Sequence, residues 1–212
     1  MPLLYNVRVK NITTIIFLVL LLILLGVYYF SRVKTVTNYP SKGTDIIALG
    51  DSLVAGVGSK KGNDFVSLLS KKINQPIVNL GRSGDTTADG VSRLKELDAY
   101  KPKVVIVLLG GNDYLKKVPI TETRKNLSAI IENVHARGGV VLLLGVRGGI
   151  LRDSFEEEFE DLSKKYNTAY VPNVLDGLLG NTKFMSDSIH PNDIGYKMIS
   201  EKVFPVLAPL VK

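Results

Sequence analysis

The stretch Val104-Val-Ile-Val-Leu-Leu109 is followed directly by Gly110-Gly111-Asn112-Asp113, so a short apolar run ends in a polar loop that contains two glycines. A wholly apolar run of this length is typical of a strand that is buried on both faces of a parallel sheet. The same pattern recurs along the chain, and the other apolar runs are Ile46–Leu49, Ile77–Leu80, Val140–Leu144 and Thr168–Val171.

Segments with helical periodicity lie between these runs. One example is the set Phe155, Phe159, Leu162 and Tyr166, whose spacing places all four side chains on one face of a helix. Strands that alternate with helices predict a five-stranded parallel sheet in a three-layer α/β/α sandwich. In such sheets ligands bind beyond the carboxyl ends of the strands, so we expect the functional residues in the loops that follow the apolar runs.

The N-terminal part of the chain differs in composition from the rest. No charged residue occurs from Asn11 to Ser31, and Ile12–Phe30 is almost entirely apolar. A helix of that length spans roughly 28 Å, close to the hydrocarbon thickness of a bilayer, which is about 30 Å. We therefore predict an N-terminal arm at residues 1–11, a single transmembrane anchor at 12–31, a polar tether at 32–44 and a folded domain at 45–212.

A cleaved signal peptide is the alternative interpretation of the N-terminal segment, with Arg8 and Lys10 as its basic start. The apolar stretch is longer than the roughly 7–15 residues usual for such a peptide, and no small-residue cleavage pair follows it. The flanking basic residues are balanced, so orientation is inferred from the short N-terminal arm. We expect the N-terminus inside and the folded domain on the extracytoplasmic side of a bacterial cell envelope.

Composition excludes several classes of protein. The 212 residues carry a formal net charge of +7, but four of the basic residues flank the predicted anchor, and residues 41–212 carry a net charge of only +3. This remainder lacks the concentrated basic face that nucleic-acid binding requires. The chain has no Cys and only two His, which excludes a disulfide framework and a cysteine-based metal site and argues against zinc.

Polar loops that contain glycine follow the first three apolar runs. They are Gly50-Asp51-Ser52-Leu53, Gly81-Arg82-Ser83-Gly84-Asp85-Thr86 and Gly110–Asp113, and Asp187-Ser188-Ile189-His190-Pro191 occurs near the C-terminus. Each motif alone is weak, because Gly, Asp and Ser are common in turns. Their shared position after successive strands is more informative, because the carboxyl ends of parallel strands meet at one edge of the sheet.

The side chains in these loops suit acyl transfer. The hydroxyl of Ser52 needs a base within hydrogen-bond distance, and His190 is the better candidate because His135 is expected to be exposed near the end of a helix. The base in turn needs a carboxylate that orients its ring. Asp187 lies three residues before His190 and Asp193 three residues after it, and this spacing does not decide between them.

Stabilisation of a developing oxyanion requires hydrogen-bond donors. The candidates are the backbone N–H groups of Ser52 and Gly84 and the side-chain amide of Asn112. The sequence lacks the glycine motifs of phosphate-binding and dinucleotide-binding loops, and it lacks the Gly-x-Ser-x-Gly motif of other serine hydrolases.

The polar blocks resemble the four motifs of the SGNH, or GDSL-type, hydrolase superfamily. The likeness is to the bacterial thioesterase I, lysophospholipase and arylesterase branch and extends over roughly residues 45–210. The resemblance implies Ser52 as nucleophile, His190 as base and Asp187, in preference to Asp193, as its partner. It also implies a flavodoxin-like fold that uses neither a metal nor a cofactor.

The same resemblance implies that Gly84 and Asn112 donate to the oxyanion. The expected protein is a membrane-anchored serine hydrolase that cleaves ester or thioester bonds of small acyl esters or lipids. An O-acetyl esterase for cell-envelope glycans is a second expectation, and a non-catalytic binding domain with a retained fold is a third. The loop Gly145–Asp153 departs from the family pattern, so the preferred acyl-chain length does not follow from the resemblance.

Overall fold

The computed structural model describes residues 14–21, 35–147 and 154–212. Within these residues, Val36–Lys212 forms a unit around a parallel sheet of five strands in the order β2-β1-β3-β4-β5. The strands are β1 (Asp45–Gly50), β2 (Ile77–Gly81), β3 (Pro102–Leu108), β4 (Val140–Leu144) and β5 (Ala169–Val171). The predicted five-stranded parallel sheet is confirmed, with strand ends that shift by one or two residues.

Helices cover both faces of this sheet. They are α2 (Ser52–Ala55), α3 (Phe65–Ile73), α4 (Thr87–Ser92), α5 (Gly111–Leu115), α6 (Ile120–Ala136), α7 (Ser154–Tyr166) and α8 (Asp193–Leu210), with a 3-10 helix at Leu94–Ala99. Helix α3 packs against α8, whereas α6 packs against α4 and α7. Since parallel strands are joined by right-handed crossovers, this strand order places the two groups on opposite faces and produces three layers.

The middle strands are buried on both faces. Every residue of β4 is fully buried, and so are the residues of β3 from Val104 to Leu108. The edge strand β2 is only partly buried. The predicted helical stripe faces this core, because Phe155, Phe159 and Leu162 of α7 are buried. Central strands therefore appear in the sequence as continuous apolar runs.

The predicted tether, residues 32–44, is described from residue 35 onward and is hydrogen-bonded to the unit. The N–H of Thr37 donates to the carbonyl of Asn167 at 2.9 Å. The hydroxyl of Ser41 donates to the carbonyl of Gly138 at 2.7 Å. Both acceptors precede strands of the sheet, so this segment contacts the end at which the strands begin.

The predicted anchor at 12–31 lies mostly outside the described residues. Its described part, residues 14–21, is a helix, α1, whose apolar side chains are exposed. In the described ranges, no helix has both the length and the apolar character that a membrane crossing requires. The predicted transmembrane helix is thus not supported by the structure.

Candidate active site

Ser52 is the first residue of α2 and follows β1 after a single intervening residue, Asp51. The carboxylate of Asp51 accepts the N–H of Leu53 at 2.9 Å and so caps this short helix. The helix has only four residues, and the residue that caps its C-terminus, Gly56, adopts the left-handed conformation. The hydroxyl of Ser52 therefore lies at the carboxyl edge of the sheet.

His190 lies on a loop that closes on itself immediately before α8. The N–H of Ser186 donates to the carbonyl of His190 at 2.8 Å. One carboxylate oxygen of Asp187 accepts the N–H groups of Ile189 and His190, at 2.8 and 2.7 Å. These bonds limit the movement of the backbone that carries the imidazole ring.

The structure brings Ser52, His190 and Asp187 into one hydrogen-bonded chain. Nε2 of His190 lies 3.0 Å from the hydroxyl of Ser52, and Nδ1 lies 2.7 Å from the second carboxylate oxygen of Asp187. The bond from the imidazole, helped by the two backbone N–H groups, lowers the pKa of Asp187 to about 2. An ionised carboxylate stabilises the tautomer that carries its proton on Nδ1, which leaves Nε2 free to accept from the hydroxyl.

The competing carboxylate, Asp193, is bonded elsewhere. Its two oxygens accept the N–H of Lys60 at 2.8 Å and the side-chain amide of Asn63 at 2.9 Å. The spacing treated the two carboxylates alike, and in the structure the one in contact with the ring of His190 is that of Asp187.

The two further oxyanion candidates are placed differently. Asn112 lines the same cavity as Ser52 and His190, and its amide donates to the carbonyl of Asp85 at 2.9 Å. Gly84 adopts a positive φ of 85°, and its carbonyl accepts from the side chain of Lys116 at 3.0 Å. Gly84 is adjacent to Asp85 but does not line the cavity.

A cavity of about 260 Å³ opens beside Ser52 and His190. Its wall is mainly apolar and includes Tyr114, Leu115, Val146, Leu175, Leu179 and Ile189. Arg147 also lines it and forms an ion pair with Glu156 at 2.8 Å. A largely apolar wall with a few polar groups at one end suits a ligand with a hydrocarbon part next to a reactive polar bond.

Sequence reasoning missed the environment of Asp51, which is almost completely buried. Burial raises the pKa of Asp51 to about 6, although the N–H of Leu53 and the nearby His190 act in the opposite direction. The motif Gly50–Leu53 identified the position but gave no signal of burial, because Asp is usually exposed in turns.

Two buried charged residues, Arg93 and Asp113, connect elements around the site, and the sequence indicated a partner for neither side chain. The guanidinium of Arg93 donates to the carboxylate of Asp85 at 2.7 Å and to the carbonyl of Gly50 at 2.9 Å, and it thereby joins the loop that follows β2 to the last residue of β1. The fully buried carboxylate of Asp113 accepts the N–H and the hydroxyl of Thr87, at 2.8 and 2.5 Å. Buried charges require such partners.

The second histidine lies apart from this site. His135 is in the last turn of α6, as its sequence position predicts, but it is half-buried rather than exposed. The prediction of an exposed side chain is wrong, because the ring packs against the domain and one ring nitrogen is buried. Desolvation lowers the pKa of His135, because burial disfavours the charged imidazolium.

Comparison with known proteins identifies the family. The sequence matches the GDSL-like lipase/acylhydrolase family over residues 48–198. The chain belongs to this family. The predicted resemblance to SGNH hydrolases is confirmed, and the enzyme is of the type that acts on ester bonds.

Relatives of this GDSL-like hydrolase cover most of its length. Esterase TesA of Pseudomonas aeruginosa is 33% identical over 178 residues, which is 78% of this chain and 89% of the relative. Thioesterase 1/protease 1/lysophospholipase L1 of Escherichia coli is 30% identical over 175 residues, 78% of this chain and 84% of the relative. A crystal structure of TesA superimposes with a TM-score of 0.74 at 32% identity and covers 79% of this chain and 99% of TesA.

Proposed function

We propose that this GDSL-like hydrolase cleaves carboxylic ester or thioester bonds, with Ser52 as nucleophile, His190 as general base and Asp187 as the carboxylate that orients the base. The single observation that supports this assignment most is the 3.0 Å distance between the hydroxyl of Ser52 and Nε2 of His190. A serine hydroxyl is a weak nucleophile at neutral pH unless a base accepts its proton.

In the proposed reaction the oxygen of Ser52 attacks the acyl carbonyl while its proton moves to Nε2 of His190. Asp187 stabilises the imidazolium that forms. Collapse of the tetrahedral intermediate expels the alcohol or thiol, which takes the proton from His190. Water, deprotonated by the same imidazole, then attacks the acyl carbonyl, the bond to the oxygen of Ser52 breaks, and the imidazolium returns its proton to that oxygen as the carboxylic acid leaves.

The negative oxygen of the tetrahedral intermediate would bind to the N–H of Ser52 and the amide of Asn112. An amide nitrogen carries two hydrogens, so Asn112 donates one to the carbonyl of Asp85 and retains the other for the substrate. The N–H of Gly84 is the third proposed donor. Its contribution requires the loop 82–86 to present that N–H to the substrate.

We propose an acyl ester or acyl thioester with a hydrocarbon acyl chain as the substrate. The support is the apolar wall of the cavity, together with the names of the relatives, which are called esterase, thioesterase and lysophospholipase. A glycan O-acetyl esterase would recognise sugar hydroxyls, for which this wall offers few polar partners. A binding domain without catalysis would not need the hydrogen-bonded sequence Ser52–His190–Asp187.

The function is tested by Ser52→Ala. The variant should lose hydrolysis of p-nitrophenyl acetate and keep the melting temperature of the parent, whereas Ser92→Ala, which alters an exposed serine on α4, should keep full activity. A fluorophosphonate should label the parent at Ser52, as located by mass spectrometry. Full activity of Ser52→Ala, or labelling at another residue, would contradict the assignment.

We further propose that residues 12–31 hold the enzyme in a membrane, with the hydrolase domain on the extracytoplasmic side. The support is the uncharged apolar sequence from Asn11 to Ser31. After expression in bacteria, the chain should stay in the membrane pellet during alkaline carbonate extraction, and its intact mass should include these residues. Release into the supernatant, or a mass that lacks the segment, would contradict anchoring.

A further inference from the structure

Residues 56–63, which form most of the connection between α2 and α3 and are called loop 56–63 below, contact the C-terminal part of the chain that follows His190. The hydroxyl of Tyr196, on α8, donates to the carbonyl of Val57 at 2.7 Å. The N–H of Val57 donates in turn to the carbonyl of Ser52 at 3.0 Å. A single residue therefore separates the backbone of the proposed nucleophile from the helix that follows the proposed base.

A second contact in the same loop is made by Gly58, which has a positive φ of 94°. A Cβ atom at this position would lie 2.3 Å from the hydroxyl of Ser186, 2.5 Å from the carbonyl of Pro191 and 3.2 Å from Cβ of His190. Loop 56–63 thus packs directly on the loop that carries His190. A residue larger than glycine at position 58 would displace one of these two loops.

The third contact is electrostatic. Asp193 begins α8, and its carboxylate accepts the N–H of Lys60 at 2.8 Å and the amide of Asn63 at 2.9 Å. These two bonds are the main causes that lower the pKa of Asp193, so the group is ionised at neutral pH. Hydrogen bonds to an ionised acceptor are stronger than those between neutral groups.

Ser52 and His190 are 138 residues apart in the sequence, one at the start of α2 and the other on the loop before α8. Their separation must stay within hydrogen-bond distance for proton transfer. We propose that Asp193 is a positioning residue, whose two hydrogen bonds hold loop 56–63 against the start of α8 and thereby set the distance between Ser52 and His190. This inference rests on the proposed function, because it assigns a consequence to the geometry of that same pair.

The decisive experiment measures kcat and KM of Asp193→Ala with p-nitrophenyl acetate. Since a displacement of about 1 Å can lower the rate roughly 100-fold, we expect kcat to fall at least about 10-fold while KM changes less than about twofold. Asp193→Asn should recover part of the rate, because its amide oxygen still accepts the N–H of Lys60. The rate of fluorophosphonate labelling at Ser52 should fall in parallel with kcat.

Glu201→Ala is the matched control, because Glu201 is an exposed acid on the same helix. It should leave kcat unchanged. Asn63→Ala removes the donor of one of the two hydrogen bonds to Asp193. It should lower kcat when introduced into the parent, and it should have no further effect when introduced into Asp193→Ala. The inference would be overturned if kcat of Asp193→Ala lies within twofold of the parent value. It would also be overturned if the decrease in kcat of the double variant equals the product of the decreases in the two single variants.

The two hypotheses fail separately. If Ser52→Ala is inactive while Asp193→Ala and Asn63→Ala keep the parent rate, only the positioning role is wrong. If Ser52→Ala stays active, the proposed function itself is wrong. Should Asp193→Ala be isolated in too small an amount, Asn63→Ala alone tests the role, and an unchanged kcat in that variant overturns it.

Discussion

The carboxylate of Asp187 binds both the ring and the backbone of His190. One oxygen lies 2.7 Å from Nδ1 of the imidazole, and the other accepts the backbone N–H of His190 at 2.7 Å. A side chain three residues away thus contacts both the ring and the backbone of the loop that carries it. This arrangement directs Nε2 toward Ser52.

Asp187→Asn tests this relationship. The amide nitrogen would donate to Nδ1 and stabilise the tautomer that has its proton on Nε2, which cannot accept from Ser52. We expect kcat/KM for p-nitrophenyl acetate to fall about 100-fold or more. Asp161→Asn, at an exposed position on α7, is the control and should match the parent. A decrease of less than about threefold in Asp187→Asn would argue against the orienting role.

Asn112→Ala should affect turnover more than substrate binding. If its amide stabilises the oxyanion, the substitution removes a donor that acts in the transition state, and kcat should fall about 100- to 1000-fold with little change in KM. The measurement is steady-state kinetics with a short acyl ester. Asn181→Ala, at an exposed position, provides the control. An unchanged kcat would remove Asn112 from the proposed oxyanion site.

Asp51 should make the stability of the enzyme depend on pH. Burial raises its pKa from 3.8 to about 6, so between these values the native state binds more protons than the unfolded state. The contribution of Asp51 to the free energy of unfolding is therefore largest below pH 4 and is lost as the pH rises through 6. Since the pKa is raised by roughly two units, this loss amounts to about 3 kcal/mol.

Asp51→Asn should remove that decrease, because an amide does not ionise and its oxygen still accepts the N–H of Leu53. Urea denaturation of both proteins at pH 4.5 and pH 7.5 measures the difference. The variant should gain stability relative to the parent at the higher pH. The same pH dependence in the two proteins would show that Asp51 does not carry this effect.

Asp113 connects three helices and should contribute strongly to stability. Its buried carboxylate accepts two hydrogen bonds from Thr87 and a third from the hydroxyl of Thr123 at 3.2 Å. In Asp113→Asn the amide nitrogen is itself a donor and cannot accept the hydrogen bonds that one carboxylate oxygen accepts in the parent. We therefore expect a loss of about 2–4 kcal/mol in the free energy of unfolding.

The exposed ion pair between Asp98 and Arg137 offers the contrasting case. Asp98→Asn should cost less than about 1 kcal/mol, because surface ion pairs are weak. Urea denaturation of the two variants measures the comparison. Equal losses would indicate that the bonds of Asp113 contribute no more than a surface pair.

Much of the architecture could be predicted from the sequence, because a strand that is buried on both faces has an apolar residue at nearly every position. The run Val140–Leu144 is apolar at every position, as a strand covered on both faces requires, and it coincides with β4. The candidate residues Ser52 and Asn112 could also be located, because polar residues directly after such runs must lie at the carboxyl edge of a parallel sheet. His190 follows no such run and was selected as the better of only two histidines.

Contacts between loops could not be predicted in this way. Asp187 and Asp193 are both three residues from His190 in the sequence. In the structure Asp187 contacts the imidazole, whereas Asp193 accepts a hydrogen bond from loop 56–63. Gly84 was predicted to donate to the oxyanion because of its position in the second polar loop, but it does not line the cavity. His135 was expected in water and is half-buried.

The sequence by itself determined the order and parallel type of the five strands, the buried stripe of α7 and the identity of the polar residues that follow the first three strands, because periodicity and composition are local properties. Only the tertiary structure decided which carboxylate contacts the ring of His190, how deeply Asp51 is buried and which loops contact each other. Those outcomes depend on distances between residues far apart in the chain, and these distances are set by strand order, crossover direction and the packing of loops against one another.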